Sequence, residues 1–299
     1  MAAFQAALDM GVTTLELDVG MTRDGVVVAH HDRRLNPERT RGPDGSWIKP
    51  AGEPPAITTL TFEALGAFDI GRPRPGSRTL KRFPEQETVD GQRIPALSDV
   101  IAAAEARSGA TVRYNVETKI SPLAPEETAS PEAFADALVR QLRKSGITDR
   151  STVQSFDWRT LQRVQAVAPE IATAYLSAEQ RWLDNVERGK AGPSPWSAGF
   201  DPGDHDDSLP RTIVAAGGRI WSPYFRDLSP AALEEAQRLG LRVLVWTVNE
   251  ADDMANLVAA GVDGIITDYP DRLRRVLEGK GYSFDPVSRL YRVPKDLGR

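Results

Sequence analysis

The sequence predicts an α/β fold, a (β/α)8 TIM barrel with its first strand missing and a small insertion over the barrel mouth. Three observations carry this prediction. A helical segment, a glycine and then a β-branched run recur six times along the 299 residues. A seventh run, Ile171–Ser177, follows Pro169 in place of a glycine. The rhythm breaks at length only over residues 36–95, which are rich in Pro, Gly and Arg. Alternating helices and strands specify a parallel sheet, and a (β/α)8 barrel takes about 250 residues. An open doubly wound sheet is the competing arrangement. The barrel is favoured because the chain has no glycine-rich phosphate loop and its carboxylates fall near the ends of early strands.

Taken in order, the chain opens directly in a helix, Ala6–Met10, with Gly11 behind it and then the strand Thr13–Val19. Val100–Ser108 and Gly109 lead to Thr111–Val116, and Phe134–Ser145 and Gly146 lead to Ser151–Phe156. After Ile171–Ser177 come Ile213–Ala216 with Gly217-Gly218 and Arg219–Tyr224, then Ala231–Leu239 with Gly240 and Leu241–Val248. Met254–Ala260 with Gly261 and Asp263–Thr267 closes the series. A glycine just past a helix end takes the left-handed conformation that turns the chain back toward a strand. Ser98, Ser130, Ser229 and Asn249 are placed to cap helix starts, and Pro131 and Pro230 fit a first helical turn. Seven strands are one fewer than a closed barrel needs, and the absent one would precede Met1. One barrel domain, 1–299, is expected, with 36–95 as an insertion too long for a simple βα loop. Residues 184–210 form a second irregular stretch, and the tail after Gly279 is expected to wrap the surface or fray.

Hydrophobic residues make up 40% and charged residues 26%, the balance of a soluble protein with a core. A net charge of −5 argues against a nucleic-acid surface, which needs a basic stripe. The absence of cysteine excludes disulfides, thiolate zinc sites and cysteine nucleophiles. No apolar run approaches the ~20 residues of a transmembrane segment. Met1-Ala2-Ala3-Phe4 has neither the basic nor the apolar region of a signal peptide. Neither a Gly-x-Ser-x-Gly elbow nor a His-Glu-x-x-His zinc motif occurs.

Candidate chemistry concentrates in Glu16-Leu17-Asp18-Val19 and in the following run to His30-His31-Asp32. Side chains alternate along a strand, so Glu16 and Asp18 share one face while Leu15, Leu17 and Val19 take the other. Two like charges on one half-buried face are costly unless a positive charge lies between them. A hard divalent cation, Ca2+ or Mg2+, bound through oxygen would supply it. In Tyr114–Lys119 the same alternation groups Asn115, Glu117 and Lys119. If the two strands are neighbours, Glu117 adds a third carboxylate, and Lys119 a positive charge for phosphate oxygens. An ordinary Glu–Lys surface pair is the plainer alternative. Only one of His30 and His31 can meet the carboxylates. His31, with Asp32 behind it, is the candidate acid–base residue, and His30 the packing one. Trp246 and Phe156, each ending a strand, either wall a substrate or fill core. His205, in Asp204-His205-Asp206-Asp207, reads as part of a solvated loop, and Asp268 as a loop cap. A cation beside an acid–base histidine fits hydrolysis of a phosphate ester.

Together these pieces resemble the glycerophosphodiester phosphodiesterase family. The matching motifs are Ala3-Phe4–Ala7 with Gly11, Glu16-Leu17-Asp18-Val19, Thr22-x-Asp24-Gly25, His31-Asp32 with Leu35, and Glu117-x-Lys119. Ser155-Phe156, Val245-Trp246-Thr247-Val248-Asn249 and Gly261 through Asp268 follow in the same order. The long segment after His31 looks like the insertion such enzymes place between barrel elements. The resemblance implies a divalent cation held by Glu16, Asp18 and Glu117, with Lys119 on the phosphate and His31 as one of two acid–base histidines. The implied reaction splits a small-molecule glycerophosphodiester, such as glycerophosphocholine, into an alcohol and glycerol 3-phosphate. The family's other histidine lies in a His-Arg-Gly motif on the first strand, ahead of the helix containing Ala-Phe. This sequence begins at that helix, and none of His30, His31 and His205 replaces the motif. The expectation is a start assigned at an internal methionine, with the first strand, and an export signal making the protein periplasmic or secreted, lying upstream. Without such a leader the protein would be cytoplasmic. Without the histidine, a non-catalytic phosphodiester-binding relative is the alternative. A phospholipase D-like toxin on the same barrel is disfavoured, because those relatives carry disulfides.

Overall fold

All seven expected strands form in the structure, a computed structural model that describes residues 1–49 and 54–292. In chain order the first elements are α1 (Ala2–Asp9), β1 (Thr14–Met21), β2 (Val27–Ala29), α2 (Phe62–Leu65) and α3 (Arg78–Arg82). Then come α4 (Leu97–Ser108), β3 (Arg113–Thr118), α5 (Pro131–Lys144), β4 (Ser151–Ser155), α6 (Trp158–Val167) and β5 (Ala172–Ser177). A hairpin, β6 (Glu179–Gln180) and β7 (Leu183–Asp184), precedes α7 (Leu209–Ala215), β8 (Ile220–Pro223), α8 (Pro230–Arg238) and β9 (Arg242–Val245). The chain ends with α9 (Ala251–Ala260), β10 (Gly264–Ile265), α10 (Pro270–Gly279), β11 (Ser283–Asp285) and β12 (Leu290–Arg292).

The main sheet runs β10-β9-β8-β5-β4-β3-β1-β2. Its first seven members are parallel, while β2 folds back antiparallel on the end of β1, Val19 opposite Ala29. Successive parallel strands with helical crossovers are the wiring of a (β/α)8 barrel. Among the described residues β1 and β10 are not hydrogen-bonded to one another, so the sheet is open between them, as seven strands predict. The core lies between strands and helices: Leu15, Leu17, Val19, Tyr114 and Val116 pack with Val100, Phe134, Leu138, Trp158 and Leu161.

Local chemistry fixes most boundaries. Gly261 ends α9 at φ +85°, a conformation that costs an L side chain energy. Gly218 is required for space, since a Cβ there would lie 2.5 Å from Ile213 Cγ2. Ser130 and Ser229 cap α5 and α8 through their hydroxyls, with Pro131 and Pro230 in the first turns. Two expected caps differ. α4 starts one residue before Ser98, because Ala96, bridged to Val28, already leaves the chain at the helix start. Asn249 does not cap α9, since its side chain accepts the Asp268 N–H and the Thr267 hydroxyl instead.

Residues 36–95 contribute Ile57, Leu65 and Ile94 to a small apolar cluster that Leu35 and Val28 of β2 complete. The neighbouring Arg33 and Arg34 grip Glu127 beyond β3, and Arg82 lies 3.5 Å from Asp268 beyond β10. These contacts fix the segment against loops at the carboxyl ends of the strands. Part of the expected insertion, residues 50–53, lies outside the described residues. The irregular stretch after β5 is tied down by buried Asn185, which accepts the Ala178 N–H and donates to the Leu176 carbonyl. The tail wraps as far as residue 292. Arg289 is 8% exposed and donates to the Leu8 and Val12 carbonyls, while Phe284 packs on Gly11. Among the described residues no helix is long and apolar enough to cross a membrane.

Candidate active site

The parallel register of β1 and β3 sets Glu16 beside Asn115 and Asp18 beside Glu117. The alternation read from the sequence holds: Leu15, Leu17 and Val19 are buried on one face, and the carboxylates converge on the other. Glu16, Asp18 and Glu117 each offer an oxygen within 4.8 Å of the other two. Lys119 follows β3 with its Nζ 2.8 Å from Glu117 and 3.5 Å from Asp18. Glu117 is only 7% exposed, so the pair is not an ordinary surface one.

The electrostatics reflect crowding. Burial pushes the Glu16 carboxyl well above the usual range, and the charges of Asp18, Glu117 and Asp268 push it further. Burial also raises Glu117, against the opposing pull of Lys119. Burial disfavours the charge on Lys119, but Glu117, Asp18 and Glu16 outweigh it and hold the ammonium above its ordinary value. One ammonium thus faces three carboxylates. The donor set is entirely oxygen, which fits a hard divalent cation and not a thiolate metal.

The two histidines divide as their facing predicts. His30 is 8% exposed, with its ring Nδ1 2.7 Å from the Asp32 carbonyl, and burial lowers its pKa. The His31 side chain is 58% exposed, with Nδ1 3.0 Å from the Asp32 carboxylate. Burial would raise the Asp32 carboxyl, but the His31 ring, Arg39 and Asn36 together hold it well below the usual range. With Nδ1 turned to Asp32, Nε2 is the ring nitrogen of His31 that points away from that contact. His31 also lies close enough for its charge to favour ionised Glu117. His205 ends the short 3₁₀ turn Pro202–His205 and takes no part in the carboxylate cluster. Asp268 accepts from Asn249 at 2.7 Å, closing the loop beyond β10.

Phe156 and Trp246 meet edge-on at 5.3 Å, and the Trp246 indole donates to the Ser222 carbonyl. Two further aromatics escaped the sequence reading. Tyr224, just past β8, lies 5.5 Å from Trp246, and Trp182, at the tip of the β6–β7 hairpin, lies 5.4 Å from Tyr224 and 6.1 Å from Trp246. A cavity of about 510 Å3 there is lined by Leu123, Trp182, Leu183 and Trp196 together with the polar Glu179, Gln180, Arg181 and Asp184. Gln154, buried on β4 and donating to Glu16, also went unassigned. Its inward facing beside Glu117 is the signal that marks it.

Comparison with known proteins places these features in a family. Residues 1–272 match the model of the glycerophosphoryl diester phosphodiesterase family. The glycerophosphodiester phosphodiesterase of Caldanaerobacter subterraneus subsp. tengcongensis is 24% identical over 289 residues, covering 94% of this chain and 92% of that one. A Silicibacter pomeroyi protein designated a glycerophosphoryl diester phosphodiesterase has a solved structure 32% identical to this chain, with a TM-score of 0.81, covering 93% and 87% of the two chains. An Oleispira antarctica phosphodiesterase, solved with the product sn-glycerol-3-phosphate, shares the fold at 20% identity and a TM-score of 0.65, covering 93% and 89%. The matched region includes the carboxylate strands, the His-Asp turn and the last strand of the sheet alike, and the chain belongs to the glycerophosphoryl diester phosphodiesterase family of hydrolases.

Proposed function

We propose that this chain hydrolyses glycerophosphodiesters to an alcohol and glycerol 3-phosphate, using a divalent cation, Ca2+ or Mg2+, held by Glu16, Asp18 and Glu117. The observation that carries the reading is the convergence of those carboxylates beside Lys119, with His31 next to them. A cation bound there would polarise the phosphoryl group and stabilise developing negative charge. Lys119 would hold a phosphate oxygen, and Phe156 and Trp246 would wall the carbon-bearing part of the substrate; the Lys119 ammonium beside Glu117 and the edge-on pair of rings support these roles. His31, steadied by Asp32, moves a proton at its Nε2. In the net reaction an oxygen from water bonds to phosphorus, the P–O bond to the alcohol breaks, and the alcohol leaves with a proton. The product held by the Oleispira relative supports glycerol 3-phosphate as the retained half. Residues 36–95 act as an insertion on one barrel domain, shaping the mouth from the contacts made by Arg82 and the paired Arg33 and Arg34.

The test is release of choline and glycerol 3-phosphate from glycerophosphocholine, measured with Ca2+, with Mg2+ and with EDTA. Cation-dependent release of both products, falling about 10²–10⁴-fold in His31→Ala, is expected. One observation favours a second reading: the His30 ring is buried against the Asp32 carbonyl and His205 ends a 3₁₀ turn, which leaves His31 alone of the three histidines as the acid–base candidate. Diester binding without alcohol release would make this chain the binding-only relative and overturn the hydrolytic proposal.

A further inference from the structure

We infer that Gln154 is a positioning residue for the cation site, holding Glu16 through a buried amide relay that Asn115 completes. The inference rests on the cation-binding reading above. Gln154 is 1% exposed and Asn115 4% exposed. The Gln154 Nε2 donates to Glu16 Oε1 at 2.7 Å, and the Asn115 Nδ2 donates to Gln154 Oε1 at 2.8 Å. The relay spans three strands, since β3 separates β4 from β1, and Gln154 sits in register with Glu117.

The three carboxylates are held by different chemistry. Glu117 and Asp18 have the Lys119 ammonium at 2.8 and 3.5 Å, while Glu16 has the neutral Gln154 amide. A neutral donor orients a carboxylate without placing a second positive charge where a cation must come. It also occupies only Oε1 of Glu16. The direction of the relay is fixed by charge. Reversing the Gln154 amide would turn its carbonyl oxygen onto the Glu16 carboxylate and strand the Asn115 N–H. Asn115 Oδ1 has no partner among the described residues, so nothing on its far side competes for the orientation that Glu16 imposes. Partners behind a ligating carboxylate set its aim, and their loss costs about 10–100-fold in metal affinity.

Calcium binding measured by titration calorimetry, on the unaltered chain and on variants, tests the relay. Gln154→Leu is expected to weaken Ca2+ by about 10–100-fold while turnover recovers at saturating Ca2+. Asn115→Ala, acting through Gln154, is expected to weaken it in the same sense but less. In a Glu16→Gln background, Gln154→Leu is expected to cause no further loss, because the group it positions has gone. Thermal melts in EDTA report folding separately, and Asn115→Ala carries the test if Gln154→Leu does not fold. Unaltered Ca2+ affinity in the folded variants, or an equal loss with and without Glu16, overturns the positioning role. If the unaltered chain binds neither Ca2+ nor Mg2+, the cation reading fails and takes the relay with it.

Discussion

The two ends of β3 treat carboxylates in opposite ways. At its start, Tyr114 donates its hydroxyl to Glu105 of α4 at 2.6 Å, and Arg150 grips both oxygens of the same carboxylate at 3.0 and 2.7 Å. Burial would raise Glu105, but the bonds from Arg150 and Tyr114 outweigh it and hold the carboxyl below its usual value. Three strand residues further on, Glu117 shares one lysine with Asp18 while Glu16 stands nearby, and burial raises it. At the base of the sheet one carboxylate has an arginine and a hydroxyl to itself, while at the mouth three carboxylates face one lysine. Conserving charge balance at one end stabilises the fold. Leaving it uncompensated at the other prepares a site for a positive ligand, the pattern expected at the carboxyl ends of barrel strands.

Removing charge at the mouth gives the largest expected effect. Glu117→Gln should lower cation-dependent turnover by about 10²–10³-fold, the scale of losing one electrostatic contributor to the transition state. Its melting temperature in EDTA should hold or rise, because one of the crowded like charges has gone. Steady-state kinetics and a melt on the same sample check both halves. A large drop in stability would mean that the mouth is as well balanced as the base.

The mirror experiment is Arg150→Met. It should leave turnover per folded molecule unchanged and destabilise the protein by about 2 kcal/mol, less than a fully buried pair would lose because both partners keep some solvent contact. Chemical denaturation reads the difference. The same contrast extends to pH. Glu105 has a depressed folded pKa, so its contribution is present above the unfolded value near about 4.3 and is lost as pH falls through the folded one. Glu105→Gln should therefore narrow the stability gap to the unaltered chain on acidification below about pH 4. An equal gap at pH 7 and pH 3 would deny that the ion pair is what stabilises the base.

The sequence was most legible where a period or a local rule dictates the answer. Strand alternation placed Glu16, Asp18, Glu117 and Lys119 on one face, and the opposed facing of His30 and His31 separated the buried ring from the exposed one. It was least legible where distant groups decide. Asn249 looks like a cap by position, yet Asp268, nineteen residues on, takes its side chain. The docking of the tail depends on Arg289 finding carbonyls 277 and 281 residues away, which no local pattern encodes. Trp182 belongs to the same class. Its hairpin has two-residue strands with no periodicity to read, and is positioned by Asp227, which accepts the Glu179 N–H at 2.8 Å.

Trp182 also gives the smallest predicted effect, and the one that tests how far the site reaches beyond the charged end. Trp182 is 60% exposed and meets Tyr224 and Trp246 edge-on. Trp182→Ala removes aromatic surface without touching a carboxylate, Lys119 or His31. The loss expected is about 1 kcal/mol of substrate contact, hence a rise of about fivefold in KM with kcat unchanged. Stability should shift by no more than about 0.5 kcal/mol, since the ring covers little core. A parallel fall in kcat would mean that the aromatic side is engaged in the transition state and not only in binding. No change in either constant would leave the hairpin tip outside the site.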